Sequence, residues 1–256
     1  MIRFLMVFFL SVSAIAASGP KGKAPAKGEG VNALELLKVS DRARGAAAAL
    51  QGVSWTSQVK SVEADEESSV TYAIKIRGND ALAEAIDPPR QKGELALFND
   101  RTLWFFKPGL KKPISISLRQ KLMGQAANGD IASTQYARDY EPVSTKQETI
   151  NGHLVWLLDL KAKAKNVTYD RIRYWITDKE KLAVKAEFLT VSGQVFKIAE
   201  FKYGNTIVLK GTKFPFVGEM KIRDANNPKN VTTITYRNPR EEAHAPSLFN
   251  VNNLVK

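Results

Sequence analysis

The sequence of 256 residues contains no cysteine and only two histidines. Without cysteine the chain forms no disulfide bond, offers no thiolate to a metal ion and carries no lipid on an N-terminal cysteine. Neither His153 nor His244 has a second histidine three or four residues away, which argues against a zinc site. A Gly-x-Ser-x-Gly nucleophile elbow and glycine-rich nucleotide-binding motifs are also missing. We therefore expect no enzyme activity, no metal and no cofactor.

Carboxylates are the remaining source of catalytic groups. Acidic residues are close together at Asp65-Glu66-Glu67 and at Asp139 and Glu141. A glycosidase needs two carboxylates about 5–10 Å apart across a cleft. Carboxylates in turns and on exposed strand faces more often keep a protein soluble. A hydrolase acting on an envelope polymer therefore stays as the weaker alternative.

An almost unbroken apolar run occurs at the N-terminus, from Phe4 to Ala16, after the positive start Met1-Ile2-Arg3. This pattern predicts a secretory signal peptide over residues 1–17, cleaved near Ala16 or Ala17. The run is too short for a membrane anchor, since a spanning helix needs about 20 residues. Residues 18–30 are rich in Gly, Pro, Lys and Ala, which predicts a disordered tether. The folded domain is then expected over residues 31–256.

The chain carries a formal net charge of +12. A basic surface attracts nucleic acid, anionic lipid or an acidic partner. Export argues against nucleic acid. Because the charges are dispersed rather than gathered in one tract, an ordinary solvated surface stays an equal alternative.

Hydrophobic periodicity predicts one helix followed by many strands. Asn32 with Glu35 three residues later is typical of a helix cap, and Gly45 of a helix end, which predicts a helix over 32–44. From Val53 onward apolar residues alternate with polar ones, and the apolar run 153–160 predicts a strand buried on both faces. Turn residues at 99–100 and 192–193 predict hairpins. The other predicted strands are 70–77, 94–98, 103–107, 114–118, 172–176, 184–191, 194–203, 206–210, 216–223 and 231–237. About ten or eleven strands with few helices predict one antiparallel sheet or barrel.

The segment 120–140 interrupts this rhythm with small residues and glycine- or asparagine-type breaks. Connections of this length inside a compact domain are usually lids, binding loops or disordered segments. We take it as a candidate lid.

Large aromatic residues recur on the predicted strands, which suits either an ordinary core or a ligand pocket. A large curved sheet leaves a pocket on its concave face when a helix and a loop cover that face. Strand alternation selects eleven candidate cavity residues, each of which it could equally place on the other face of the sheet: Tyr72, Ile74, Leu95, Leu97, Phe105, Ile114, Ile116, Met123, Trp156, Tyr174 and Phe188. The basic residues Lys111, Lys112 and Arg119 are candidates for contact with anionic headgroups or an acidic partner.

Five segments together resemble the outer-membrane lipoprotein-sorting proteins, the LolA-like family, in its broader branch. They are TLWFFKPGLKKPISIS at 102–117, MGQAANGDIASTQYARDYEP at 123–142, KLAVKAEFLTVSGQVFKIAEFKYG at 181–204, KFPFVGEMKIRD and VTTITYRN within 213–238, and PSLFNVNNL at 246–254. The resemblance covers Val31 to the end and rests on the order and spacing of these segments.

The resemblance implies a mainly β domain, a single strongly curved antiparallel sheet that forms a half-open β-barrel of about eleven strands closed by a few helices. It implies an apolar cavity for acyl chains of lipoproteins or lipids, and a periplasmic carrier that moves them between the inner and outer membranes. An inner-membrane transporter and an outer-membrane acceptor are the implied partners. Gln125-Ala126-Ala127 and the lysine-rich tether depart from the strict sorting protein. A periplasmic ligand-sensing regulatory module, the role of a related fold, is the other alternative.

Overall fold

The computed structural model describes residues 31–46, 52–99, 101–132 and 135–255. The predicted signal peptide and tether lie outside the described residues. Within them, every helix is too short and too polar to traverse a bilayer.

The first element is helix α1, Ala33–Arg42, which confirms the helix predicted over 32–44. The side chain of Asn32 accepts a hydrogen bond from the backbone N–H of Glu35 at 3.2 Å, so the predicted cap begins the helix. Gly45 follows the helix with φ +102, and a Cβ atom there would lie 2.5 Å from the Trp55 ring. A larger residue is thus excluded by both the backbone and the close approach of Trp55.

In the described residues, fifteen strands and two further short α-helices follow α1. The strands are β1 Val53–Glu63, β2 Glu66–Arg77, β3 Asp80–Asp87, β4 Leu95–Asn99, β5 Thr102–Phe106, β6 Ile114–Ile116, β7 Lys121–Met123, β8 Ala126–Ala127, β9 Tyr140–Ile150, β10 His153–Ala162, β11 Arg171–Thr177, β12 Ala183–Leu189, β13 Val195–Leu209, β14 Thr212–Asp224 and β15 Val231–Glu241. The helices are α2 Gly129–Ala132 and α3 Tyr136–Asp139, and two 3₁₀ turns, Pro246–Phe249 and Val251–Asn253, end the chain.

Thirteen strands form one sheet in the order β6-β5-β4-β3-β2-β1-β15-β14-β13-β12-β11-β10-β9, and β7 pairs only with β8. All pairs in the large sheet are antiparallel. Because β6 and β9 remain edges, the strongly curved sheet does not close into a barrel. This confirms the predicted mainly β, half-open, antiparallel architecture, with thirteen strands in the sheet rather than about eleven.

Two of the differences between the predicted and the observed strands have a physical explanation. The predicted strands 194–203 and 206–210 are one strand, β13, whose pairing with β14 shifts register between Lys202 and Asn205. Such bulges bend a strand without ending it. The edge strand β9 has few apolar residues, and its positions after Tyr140 are exposed or half-buried without a strict alternation, so its pattern resembles a loop.

One face of the sheet carries the main core. The buried residues of this core include Leu36 and Leu37 of α1, together with inward-facing residues of β1–β5 and β10–β15. Segment 120–140 also packs there, since Ala126, Ala127 and Ile131 are buried. The candidate lid therefore forms β7, β8, α2 and α3 against the inner face of the sheet.

The outer face carries two smaller apolar clusters. The C-terminal turns place Phe249 and Leu254 against Leu82 and Leu97. Val155, Leu157 and Trp175 form the second cluster. Because Trp156 and Leu158 face the main core, β10 is buried on both faces as predicted.

Candidate functional site

A pocket of about 700 Å³ lies between α1, α3 and the hairpin that joins β13 to β14, and its lining is mostly apolar. Its lining residues are Leu34, Lys38, Asp41, Arg42, Ala46, Asn79, Gln135, Ala137, Arg138, Leu209, Lys210, Thr212 and Phe214. The volume is in the range of pockets that enclose small molecules, about 300–1,000 Å³. We call it the α1 pocket.

Helical spacing explains how α1 serves both the core and the pocket. Leu36, Leu37 and Ser40 are buried on one side of the helix. Leu34 and Lys38, one turn apart, line the pocket instead. Leu34 is 41% exposed, which leaves an apolar surface at the pocket mouth.

The opposite wall comes from the β13–β14 hairpin. Lys210 and Gly211 both have positive φ, as a two-residue hairpin turn requires. This turn pairs Leu209 with Thr212, and the next residues of β14 bring Phe214 alongside. The two apolar side chains therefore form a wall that faces Leu34 of α1 across the pocket.

Cations surround the apolar lining. Lys38, Arg42, Arg138 and Lys210 line the pocket, against one carboxylate, Asp41. The Arg42 guanidinium lies 5.4 Å from the centre of the Phe214 ring. Arg138 is held by Asp139 at 2.7 Å, and Lys38 is paired with Glu35 at 3.3 Å, so Arg42 and Lys210 are the lining cations for which the described residues provide no ion pair. The mouth of the pocket therefore suits an apolar ligand with an anionic group at one end.

Asp41 is the buried polar group of the pocket, with 3% of its surface exposed. Its Oδ2 accepts a hydrogen bond from the backbone N–H of Ala137 at 2.8 Å, whereas its Oδ1 has no partner among the described residues. Burial raises the pKa of Asp41 to about 7, although the Ala137 N–H and Arg44 act in the opposite direction. Near neutral pH this carboxyl group can therefore accept a hydrogen bond or, once protonated, donate one.

Arg44 fills the space where α1 meets the sheet. Its side chain is buried and lies 4.3 Å from the centre of the Phe201 ring. One guanidinium nitrogen donates to the Tyr174 hydroxyl at 3.1 Å, and Ser40 is 3.0 Å from the same hydroxyl. This part of the hollow is thus occupied by an aromatic and polar cluster, and the apolar opening lies beside it in the α1 pocket.

Most of the predicted cavity residues belong to the protein core. Five of them are buried in the main core: Tyr72, Ile74, Trp156, Tyr174 and Phe188. Ile116 and Met123 are partly buried against it. Phe105 is half-buried, and Ile114 is 45% exposed on the edge strand β6.

Leu95 and Leu97 face the other way, packing on the outer face under the C-terminal turns. Strand alternation shows which residues share a face but not which face turns toward the core. In β4 it is Phe98, not Leu95 or Leu97, that packs in the main core.

None of the eleven predicted residues lines the α1 pocket. Ile116 lines a smaller pocket of about 170 Å³ beside β5 and β6. Leu34, Leu209 and Phe214 line the pocket from α1, β13 and β14 and are not among the residues predicted from the sequence. The sequence of α1 does contain a signal for Leu34. The helix has three leucines, and only Leu36 and Leu37 are buried against the core.

The predicted basic residues have different surroundings. Lys111 and Lys112 are exposed between β5 and β6. Arg119 binds both carboxylate oxygens of Asp170 at 2.8 Å and donates to the carbonyl oxygen of Val167 at 3.0 Å. Arg119 therefore anchors the loop between β10 and β11.

The histidines and carboxylates considered as catalytic groups do not form a common site in the described residues. His244 is buried, 2.8 Å from the Ser54 hydroxyl, and His153 is exposed at the start of β10. Asp139 is paired with Arg101 and Arg138. In the described part of the chain, no three histidine, aspartate or glutamate side chains are grouped to hold a metal ion.

Comparison with known proteins gives one family and several similar folds. A family model described as an uncharacterised protein matches residues 78–256. No curated protein matches the sequence significantly. A LolA superfamily protein of Nitrosomonas europaea is 26% identical, with 88% of this chain and 100% of that chain covered and a TM-score of 0.77.

Two further solved structures share the fold. A domain from Vibrio parahaemolyticus, described as an outer membrane lipoprotein-sorting protein, is 20% identical, with 87% of this chain and 98% of that chain covered and a TM-score of 0.72. A DUF1329 family protein from Desulfovibrio piger is 16% identical, with 86% and 97% covered and a TM-score of 0.71.

Proposed function

The chain belongs to the family matched over residues 78–256 and is LolA-like, and from this premise we propose that it is a periplasmic carrier that binds acyl chains of lipids or lipoproteins in the α1 pocket. The observation that carries the proposal is the apolar pocket of about 700 Å³ with cations around it. The lipoprotein-sorting description of the Vibrio domain supports the same class of cargo.

The energetics suit such a cargo. Burying apolar surface contributes about 0.8 kcal/mol per CH₂, so about twelve buried methylenes contribute on the order of 10 kcal/mol before the costs of ordering. The acyl chain would lie against Leu34, Leu209 and Phe214, with its headgroup toward Lys38 and Arg42. The carboxyl group of Asp41 would contact the ester or amide at the base of the chain.

Release of the cargo requires that the pocket open. The segment 120–140 ends in α3, and Ala137 and Arg138 of α3 form one wall of the pocket. In this proposal the pocket opens when segment 120–140 moves away from α1. The acyl chain would then reach the predicted cavity residues that are buried in the main core. Lys111 and Lys112 stay proposed contacts for a headgroup or partner. An inner-membrane transporter would load the carrier and an outer-membrane acceptor would unload it.

A charge placed in the pocket tests the proposal. Leu34→Glu adds a carboxylate at the mouth, in the first turn of α1, where a negative charge is favourable to the helix. We expect it to weaken the binding of a fluorescent fatty acid at least tenfold. Val208→Glu is the matched control, because Val208 is similarly exposed (46%, against 41% for Leu34) and does not line the pocket.

Two measurements decide the outcome. Mass spectrometry of the purified chain should find co-purified lipid, and fluorescence titration should rank wild type and Val208→Glu well above Leu34→Glu. Absence of both lipid and fatty-acid binding in the wild type would refute the carrier proposal. Turnover of a lipid or glycan would favour the hydrolase alternative, and recovery of a regulatory protein would favour the sensing module.

A further inference from the structure

The two most exposed large apolar side chains of the described residues lie in one place. Val191 is 79% exposed and Val143 is 50% exposed. Both line a groove of about 510 Å³ formed by the ends of β9, β10, β11 and β12. Lys161, Lys163, Lys165 and Arg171 line the same groove, which we call the lysine groove.

The three lysines are presented together by an alternating sequence. Lys161, Lys163 and Lys165 are exposed, whereas Ala162 and Ala164 between them pack against the main core. Lys161 and Lys165 form no ion pair with the described residues. Their ammonium groups are therefore available to an external anion.

The carboxylates near the groove are largely neutralised. Asp170 is held by both terminal nitrogens of Arg119 at 2.8 Å. Asp159 is paired with Arg171 at 2.9 Å. Glu141 lies opposite Lys161 in the β9–β10 register without forming an ion pair with any described residue, so it offsets only one of the three lysine charges. The lysines thus give the groove a positive potential.

Val191 is held in position rather than left on a loose loop. It lies in the turn between β12 and β13, where the N–H of Gly193 donates to the carbonyl oxygen of Thr190 at 2.9 Å. The Thr190 and Ser192 hydroxyls, on either side of Val191, are 2.8 Å apart. The turn therefore presents the Val191 side chain outward.

We propose that the lysine groove is a docking surface for an anionic phospholipid membrane, with the lysines at the phosphates and Val191 and Val143 among the headgroups. Exposed apolar side chains beside lysines are the combination that binds anionic bilayer surfaces. A protein interface needs about 800 Å² per partner with a well-packed apolar centre, which two exposed valines do not supply. Charge complementarity therefore favours the membrane.

The groove also adjoins the α1 pocket. The Lys163 ammonium donates to the carbonyl oxygens of Ala137 and Arg138 at 3.2 Å, and both of these α3 residues line the pocket. Docking would place α3 next to the bilayer surface. The lysine groove and the α1 pocket share no lining residue, so the docking proposal does not require that the pocket bind a lipid.

Vesicle flotation tests the proposal with the purified chain. Vesicles containing phosphatidylglycerol should bind the wild type much more strongly than phosphatidylcholine vesicles, and salt should weaken the binding. Lys161→Gln/Lys165→Gln should lower the affinity roughly 25-fold, about fivefold per lysine. Lys179→Gln/Lys229→Gln removes the same charge from exposed positions outside the groove and should change the affinity less than twofold.

A second pair of variants tests whether position 191 contacts the membrane surface. Val191→Asp should lower vesicle affinity at least tenfold, whereas Val208→Asp, at an exposed position elsewhere, should not. Each variant should keep the wild-type unfolding midpoint, because all these positions are exposed.

Equal binding to both kinds of vesicle, or equal losses for the two lysine pairs, would overturn the proposal. Absence of vesicle binding together with a crosslink from position 191 to an envelope protein would assign the groove to a protein partner instead. Fatty-acid binding by the pocket is measured separately, so either proposal can fail alone.

Discussion

Replacement of Asp41 by asparagine should change how the stability of the protein depends on pH. Burial raises the pKa of Asp41 from its ordinary value of 3.8 to about 7 in the folded state. At about 1.4 kcal/mol per pKa unit, ionising this carboxyl group in the folded protein costs about 4 kcal/mol relative to the unfolded chain. The substituted asparagine does not titrate, and its side-chain oxygen can still accept the N–H of Ala137.

The sign follows from which state binds the proton. Between pH 4 and pH 7 the folded protein holds the Asp41 proton more tightly than the unfolded chain, so this contribution to stability falls as pH rises. The free energy of unfolding of Asp41→Asn minus that of the wild type should therefore be small at pH 4 and increase to about 4 kcal/mol at pH 8.

Urea unfolding followed by tryptophan fluorescence at pH 4.5, 6, 7 and 8 measures this difference. Comparing the two proteins at each pH cancels the titration of all other groups. Asp130→Asn serves as a second measurement, because burial also raises the pKa of Asp130, where it accepts hydrogen bonds from Ala127 and Tyr169. A difference that stays constant across this pH range would refute the reasoning about Asp41.

Two further predictions concern packing, and thermal unfolding measures both. Phe188 is fully buried and stacks on Tyr169 with ring centres 3.8 Å apart, so Phe188→Ala should cost about 3–5 kcal/mol and lower the midpoint by roughly 10 °C. Gly124 has φ +52, and a Cβ atom there would lie 1.8 Å from Ser61 Oγ, so Gly124→Ala should cost at least about 2 kcal/mol. Gly152→Ala, with positive φ but open space around it, should cost less, and equal losses would contradict the importance of the close approach.

The α1 pocket and the lysine groove give the two sides of α3 different roles. The pocket side is apolar with cations at its mouth, and the groove side carries lysines and two exposed valines. Because Lys163 bonds to α3 carbonyl oxygens, an anion that draws Lys163 away would remove two contacts that hold α3. If both proposals hold, membrane docking would favour pocket opening through this one short helix.

Local signals in the sequence predicted many elements of the fold. The Asn32 cap, the hairpin at Ser192-Gly193 and the doubly buried run of β10 depend on neighbouring residues along the chain, and all three are present in the structure. The antiparallel pairing could also be predicted, because strands joined by short turns pair antiparallel. The LolA-like resemblance agreed with these signals and is confirmed for the fold.

Helix α1, most of the long strands and the antiparallel kind of sheet could be predicted from the sequence, because those features depend on short-range spacing and turn chemistry. Two features required the folded chain: which strand face turns inward, as Leu97 and Phe98 show, and how α1, α3 and the β13–β14 hairpin meet at one pocket. The difference lies in how far apart in the sequence the interacting residues are. Alternation is a property of neighbouring residues, whereas Leu34 and Phe214 become neighbours only when the curvature and register of the whole sheet bring their elements together.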